Sequence, residues 1–369
     1  MHRNSRANIA AYSATAPHLR HHHAATARSI VNPAWHTAEE FNKISIKSYT
    51  YTNLRKDHRV MFNPFKPLEH IHAEVFTSMP GKYRKKSRSS WSDPNRQNAE
   101  VECFLEAPAF DRNGNLFVCD IPFGRIFRIT PQGDWDLVIQ YDGWPNGMKF
   151  HKDGRLFICD YKEGLLTLDV KTGKLETVLR TAYSESFKGL NDLHFTSNGD
   201  LYFTDQGQTG IVDPTGRVYR LKANGELRRL LENGPSPNGI TVSTTEKHVY
   251  VGMTRSNSVW RLPLMADGSV SKTGLAIQLS GGVAGPDGIE MDGENGLLVC
   301  QLGVGIWRFD ANMLPTHLIS SKNHDKHHHL DNVAFGGPDH QQIFITEALT
   351  GDVLTAKVPF AGKKLYGHM

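Results

Sequence analysis

Residues 144–160 read WPNGMKFHKDGRLFICD: a short apolar segment, a turn centred on Lys-Asp-Gly, and a second apolar segment. Two short runs rich in aromatic and β-branched side chains around such a turn are the pattern of a β-hairpin. The phrase returns as GLNDLHFTSNGDLYFTD at 189–205, SPNGITVSTTEKHVYVG at 236–252 and GPDGIEMDGENGLLVCQ at 285–301. Aligned on the apolar residue closing each first segment, six copies end at Phe110, Phe150, Phe195, Val242, Met291 and Phe335, spaced 40 to 49 residues apart. A third segment follows each copy (GRIFRI, GRVYRL, VGIWRF), and several have a fourth, such as WDLVIQY or LETVLRT. Three or four short strands recurring at this period make a propeller blade. The expected fold is all-β: a six-bladed β-propeller of four-stranded blades with an N-terminal extension.

The sixth copy lacks an outer strand, and HIHAEVFTSM (70–79) is assigned to close it. That divides the chain into an extension, residues 1–65, and a propeller, residues 66–369. The extension begins rich in Ala, Arg and His, without acids and without a continuous apolar core. This composition argues against a secretory signal and is compatible with a transit peptide or an unstructured tail. The expected location is the cytoplasm. The net charge of +4 is modest, and the basic knot KYRKKSR (82–88) lacks the aromatic or helical partners that nucleic-acid binding requires. No apolar run is long enough to span a membrane. Neither nucleic acid nor membrane is therefore expected as a partner. The four cysteines show no metal or disulfide spacing and are read as buried core residues. The loop 81–99 is read as solvated, with a cover over the channel as the sharper alternative.

In a propeller the first strand of each blade lines the central channel, so equivalent positions face one another. Four residues before each aligned apolar position stand Glu106, Asn146, Asn191, Asn238, Asp287 and Asp331. All six carry side-chain oxygens. Asn-Gly and Asp-Gly also favour turns, which accounts for the PNG and PDG copies. It does not account for Glu106, nor for Asn191, which precedes Asp192 instead of glycine. Clustered buried carboxylates need a countercharge. An oxygen-only set suits one divalent hard cation, Ca²⁺ before Mg²⁺ or Mn²⁺, with Zn²⁺ less expected. A second set, Asp120, Asp160, Asp205, Gln301 and Glu347, ends the second strands and is read as supporting this ring or capping turns. His329, in NHDKHHHLDN (323–332), is expected at the channel mouth.

EAP (106–108), LNDLHFTSNGDLYFTD (190–205), PNGI (237–240) and GPDGI (285–289) occur in this order over much of the chain. Together they resemble the SMP-30/gluconolactonase/LRE family of six-bladed, metal-dependent lactonases. The resemblance implies a metal held by Glu106, Asn238 and Asp287, with Asn191 as an additional ligand or substrate contact. It also implies Asp287 as base towards the attacking water. The implied activity is hydrolysis of a lactone, a small cyclic ester, by metal-activated water in the channel. Asn146, Asn191, Asp331 and His329 are the candidate substrate contacts. Two departures stand out: Gly189 occupies a position where family members often carry arginine, and Ala107 replaces the glycine of Glu-Gly-Pro. Two alternatives share the architecture: a propeller catalysing a non-hydrolytic step, and a non-enzymatic binding propeller with a structural ion.

Overall fold

A computed structural model describes residues 67–369; the extension, residues 1–65, lies outside the described residues. Strand-forming runs separated by Gly, Asn and Asp turns fold almost entirely into antiparallel hairpins, giving an all-β, propeller-like architecture. The first four-stranded sheet comprises Leu105–Phe110, Leu116–Asp120, Arg125–Ile129 and Trp135–Gln140. Three more of the same order begin at Pro145–Phe150, Leu190–Phe195 and Pro237–Val242. Burial falls outward: the inner two strands of the first sheet are nearly all buried, whereas Trp135–Gln140 is mostly exposed or half-buried. Polar turns complete the hairpins, as where Asp111 Oδ1 accepts the N–H groups of Asn113 and Asn115, each at 2.8 Å.

The remaining strands correct the expectation of six separate sheets. Eight of them form one sheet, with the inner strands Ile289–Met291 and Leu330–Gly336 at its two ends. The reason is Glu69–Ser78, which pairs antiparallel with Asp352–Lys357 and parallel with Pro315–Ser321. One N-terminal strand thus fuses two outer edges that would otherwise be exposed, removing a liability to edge-to-edge aggregation. Ala73, fully buried, sits in the apolar cluster this junction creates with Ile306, Ile319 and Leu354.

Inner strands neighbour one another in turn, and Leu330–Gly336 returns against Leu105–Phe110, so the ring closes. The glycines after Asn146, Asn238 and Asp287 serve this closeness. An added Cβ would stand 2.5 Å from the Asn191 carbonyl oxygen at Gly147, 2.5 Å from the Asp287 carbonyl oxygen at Gly239 and 2.4 Å from the Asn332 side chain at Gly288. Adjacent inner strands approach too tightly there for any side chain, so these Asn-Gly and Asp-Gly pairs mark strand packing. Ala107 has the left-handed φ of 55° that glycine adopts freely. Ala107→Gly is accordingly expected to stabilise the protein by about 0.5–1 kcal/mol, measurable by denaturant titration.

One end of the channel is floored by the C-terminal residues. Lys363 Nζ donates to the Val242 and Ser243 carbonyls at 3.0 and 3.3 Å, and Arg112 Nε donates to the Gly367 carbonyl at 2.9 Å. Gly293 N–H reaches the Ala361 carbonyl, Gly362 N–H reaches that of His340, and Tyr366 packs on Phe195. The space left there is about 20 Å³, room for little more than a single water molecule. The ring residues lie at the opposite end, where the inner strands begin.

Candidate functional site

The six ring positions are all buried, and all lie at the start of an inner strand or, for Asp287, just before one. Pairing between first and second strands slips in register at Glu106/Ala109, Pro145/Gly147, Leu190/Leu193, Pro237/Ile240 and Leu330/Asn332. Each bulge falls on a ring residue. A bulge re-aims a side chain that regular pleating would place elsewhere, which explains how polar residues come to line the centre of strands otherwise apolar.

Glu106 Oε2 accepts the Ala107 N–H at 2.7 Å and the Asn332 Nδ2–H at 2.8 Å. Burial, then the neighbouring Asp287 charge, pushes its pKa well above the usual carboxylate range. Burial and the Asp192 charge raise Asp287 to about 7, opposed by a hydrogen bond from Asn238 and by the Arg255 charge. Asp331 is also raised by burial and by both of those carboxylates. The nearby Thr346 hydroxyl donates to the Asn332 carbonyl at 3.4 Å, and both Asp331 carboxylate oxygens lack a hydrogen-bond partner. Asn146 Oδ1 is likewise buried and unpartnered. Gln206 Oε1 takes the Asn191 Nδ2–H at 3.0 Å, leaving the carboxamide oxygen available. His329 is half-buried at the mouth; burial, Arg96 and His328 lower its pKa against Glu347.

This arrangement is short of cations and rich in unused oxygen acceptors. Among the described residues, no three His, Cys, Asp or Glu side chains by themselves converge as a metal-binding group. Glu106 and Asp287 supply two carboxylates, so carboxamide oxygens must complete any shell. A hard divalent ion fits that donor chemistry, because it would offset the repulsion and burial that raise both pKa values.

A charged layer beneath the ring has no counterpart in the repeat pattern. Lys149 Nζ donates to Glu290 Oε2 at 2.7 Å, with both side chains nearly buried. Burial depresses the lysine, but the Glu290 and Asp192 charges outweigh it and its pKa is raised. Asp192 Oδ1 caps the Leu193 N–H at 2.8 Å and Oδ2 the Ile240 N–H at 3.2 Å, tying two inner strands together. The only sequence signal is a charged residue inside each apolar strand. Breaking such a pair leaves one buried charge uncompensated, so Lys149→Met is expected to cost about 3–5 kcal/mol, read from chemical denaturation.

The second set of polar residues fastens loops. Asp120 accepts from Phe104 N–H at 2.7 Å, Asp205 from Lys188 and Gly189 N–H groups, and Glu347 from His329, Leu349 and Thr350 N–H groups. Asp160 accepts the Lys162 and Glu163 N–H groups, whereas Gln301 Nε2 donates to the Ser280 and Gly281 carbonyls. These bonds run to the loop backbone rather than to the ring side chains. All four cysteines are buried and unpaired. A groove of about 650 Å³ between Phe76, Phe110 and Phe344 opens beside the floor and contains none of the ring residues.

A family model for the SMP-30/gluconolactonase/LRE-like region matches residues 104–349. The chain belongs to this family. The lactonase drp35 of Staphylococcus aureus (strain USA300) is 32% identical over 241 residues, covering 61% of this chain and 72% of that relative. Among solved structures, regucalcin from Agrobacterium tumefaciens, described as calcium-binding, superposes with a TM-score of 0.64 at 20% identity. That match covers 82% of this chain and 99% of regucalcin. A gluconolactonase from Xanthomonas campestris gives 0.62 at 20% identity, covering 80% and 99%. At these identities the two structures speak for the shared fold. Among the described residues, no helix is long and apolar enough to cross a membrane.

Proposed function

We propose that this protein is a divalent-metal-dependent lactonase whose catalytic unit is a six-bladed propeller spanning residues 66–369. The eight-stranded sheet counts as two blades joined at their outer edges. One observation carries the reading: two buried carboxylates, Glu106 and Asp287, have raised proton affinities and no bonded cationic partner among the described residues. The names of the lactonase and gluconolactonase relatives support the same activity.

Glu106, Asn238 and Asp287 would hold the ion, with Asn191 as a further ligand, and Ca²⁺ suits the oxygen set best. When bound, the ion supplies polarisation of the lactone carbonyl and acidification of water. Asp287 accepts the proton of the attacking water, its position fixed by the Asn238 hydrogen bond and by its N–H donating to the Cys300 carbonyl at 2.8 Å. Asn146 and Asn191 offer hydrogen bonds to the lactone oxygens, while Asp331 and His329 flank the bound ring. Closure of the far end by the C-terminal segment keeps water entry to one side.

The test is hydrolysis of sugar, aliphatic and aromatic lactones by EDTA-treated protein resupplied with Ca²⁺, Zn²⁺, Mn²⁺ or Mg²⁺. Turnover that depends on added metal supports the reading. No turnover with any pairing, and an effect of EDTA on melting alone, would leave a binding propeller with a structural ion.

A further inference from the structure

Near the starts of the inner strands stand two arginines whose side chains have no hydrogen-bonded or ion-pair partner among the described residues. Nearly every arginine of the described residues has a carboxylate acceptor, as in Arg84–Glu102, Arg155–Asp153, Arg220–Asp200 and Arg308–Asp292. The others bond to oxygens too: Arg112 to backbone carbonyls and Arg261 to the Tyr250 hydroxyl. Arg96 and Arg255 are the exceptions among the described residues, and both stand where the inner strands begin.

Their placement is built by one loop. Gln206 is bonded to the ring through Asn191 at 3.0 Å and to Ser236 Oγ at 3.0 Å. Two residues on, Gln208 Nε2 donates to Asn95 Oδ1 at 3.1 Å and to the Tyr161 hydroxyl at 3.1 Å, which fixes the residue preceding Arg96. Gly210 then takes the stem of Arg255: an added Cβ would lie 3.6 Å from Arg255 Cγ. The backbone around Arg255 is pinned as well. Thr254 N–H donates to the Ser236 carbonyl at 3.0 Å, and Thr254 Oγ1 donates to the carbonyl of Pro286, the neighbour of Asp287, at 2.7 Å. Arg96 lies within electrostatic reach of His329 and Arg255 within reach of Asp287. The segment 81–99 is anchored by buried Trp91 against Phe104 and tied at Asn95 to Gln208, so part of it is packed onto the sheets.

We infer that Arg96 and Arg255 form an anion-recognition pair over the ring, and that the substrate is a lactone bearing an acidic substituent such as a carboxylate. Guanidinium groups suit this task because they present several fixed donors and remain charged at any working pH. The inference rests on the lactonase reading for the word lactone but not for the anion.

The test compares γ-butyrolactone-γ-carboxylate with its methyl ester, which differ in charge and share the reacting ring. The wild-type protein is expected to favour the carboxylate in kcat/KM. Arg96→Gln and Arg255→Gln should each lower the carboxylate-to-ester ratio at least roughly tenfold, the size of one charge-assisted hydrogen bond. Using a ratio removes any effect of partial misfolding. Arg128→Gln, at an exposed outer-strand pair with Asp136, should leave the ratio unchanged. A wild-type ratio at or below one, or a ratio insensitive to both substitutions, overturns the inference. An equal loss on both substrates also overturns it, since the arginines would then serve the carboxylate that every ring opening produces. Calorimetric binding of succinate separates the two readings. Succinate affinity lost in both variants without hydrolysis of any lactone would sink the lactonase and keep the anion pair. Metal-dependent hydrolysis with unchanged ratio and unchanged succinate affinity would do the reverse.

Discussion

Asp287→Asn is expected to lower kcat about 10³-fold, within the range for removing a general base, while the protein stays folded. Asparagine keeps the side-chain shape and one oxygen, so it can retain a hydrogen bond with Asn238. It loses the charge that would attract a cation and the basicity needed to take a proton from water. Stability should not suffer in the absence of metal. The Asp287 pKa lies near 7 because burial and Asp192 oppose its ionisation, and a neutral amide avoids that cost altogether. Without metal at pH 8, the variant should therefore melt no lower than the parent. The measurements are steady-state hydrolysis of whichever lactone the panel identifies, and melting in EDTA. Activity within tenfold of the parent would remove Asp287 from the role of base.

The ring is legible in the chain because a propeller converts sequence register into spatial proximity. Six phrases in alignment put Glu106, Asn146, Asn191, Asn238, Asp287 and Asp331 at or just before the starts of inner strands, and all six are buried there. The bulges that aim them are hidden, since a register slip depends on the pairing partner and leaves no mark in one strand. The role of Gly147, Gly239 and Gly288 is hidden for the same reason: only the neighbouring strand shows what a Cβ would strike. Lys149 and Glu290 pair across strands 141 positions apart, beyond any local pattern. The fused sheet depends on Glu69–Ser78 finding two edges at once, which a repeat period cannot reveal. Arg96 and Arg255 are informative only because, among the described residues, neither is bonded to a carboxylate, a property of the fold rather than of the chain.

Removal of divalent metal is expected to make stability fall as pH rises. Asp287 has an ordinary value of 3.8 and a value of about 7 in the folded chain, and burial shifts Glu106 and Asp331 in the same direction. A raised folded-state pKa means that the folded protein holds its protons more tightly than the unfolded chain. The associated stability is complete below about pH 4 and is lost as pH climbs through about 7. A bound cation favours the ionised carboxylates, so its own affinity grows over the same interval. In EDTA, the melting temperature should thus drop by several degrees between pH 5 and pH 8. With Ca²⁺ at about a hundred times its dissociation constant, roughly 2.7 kcal/mol returns, which is several degrees for a domain of this size. The increment from Ca²⁺ should be clearly larger at pH 8 than at pH 5. Equal increments at both pH values would mean that the ion does not bind at Glu106 and Asp287. A parallel fall with and without Ca²⁺ would equally rule out those two ligands, because ligation should abolish the proton uptake that drives it.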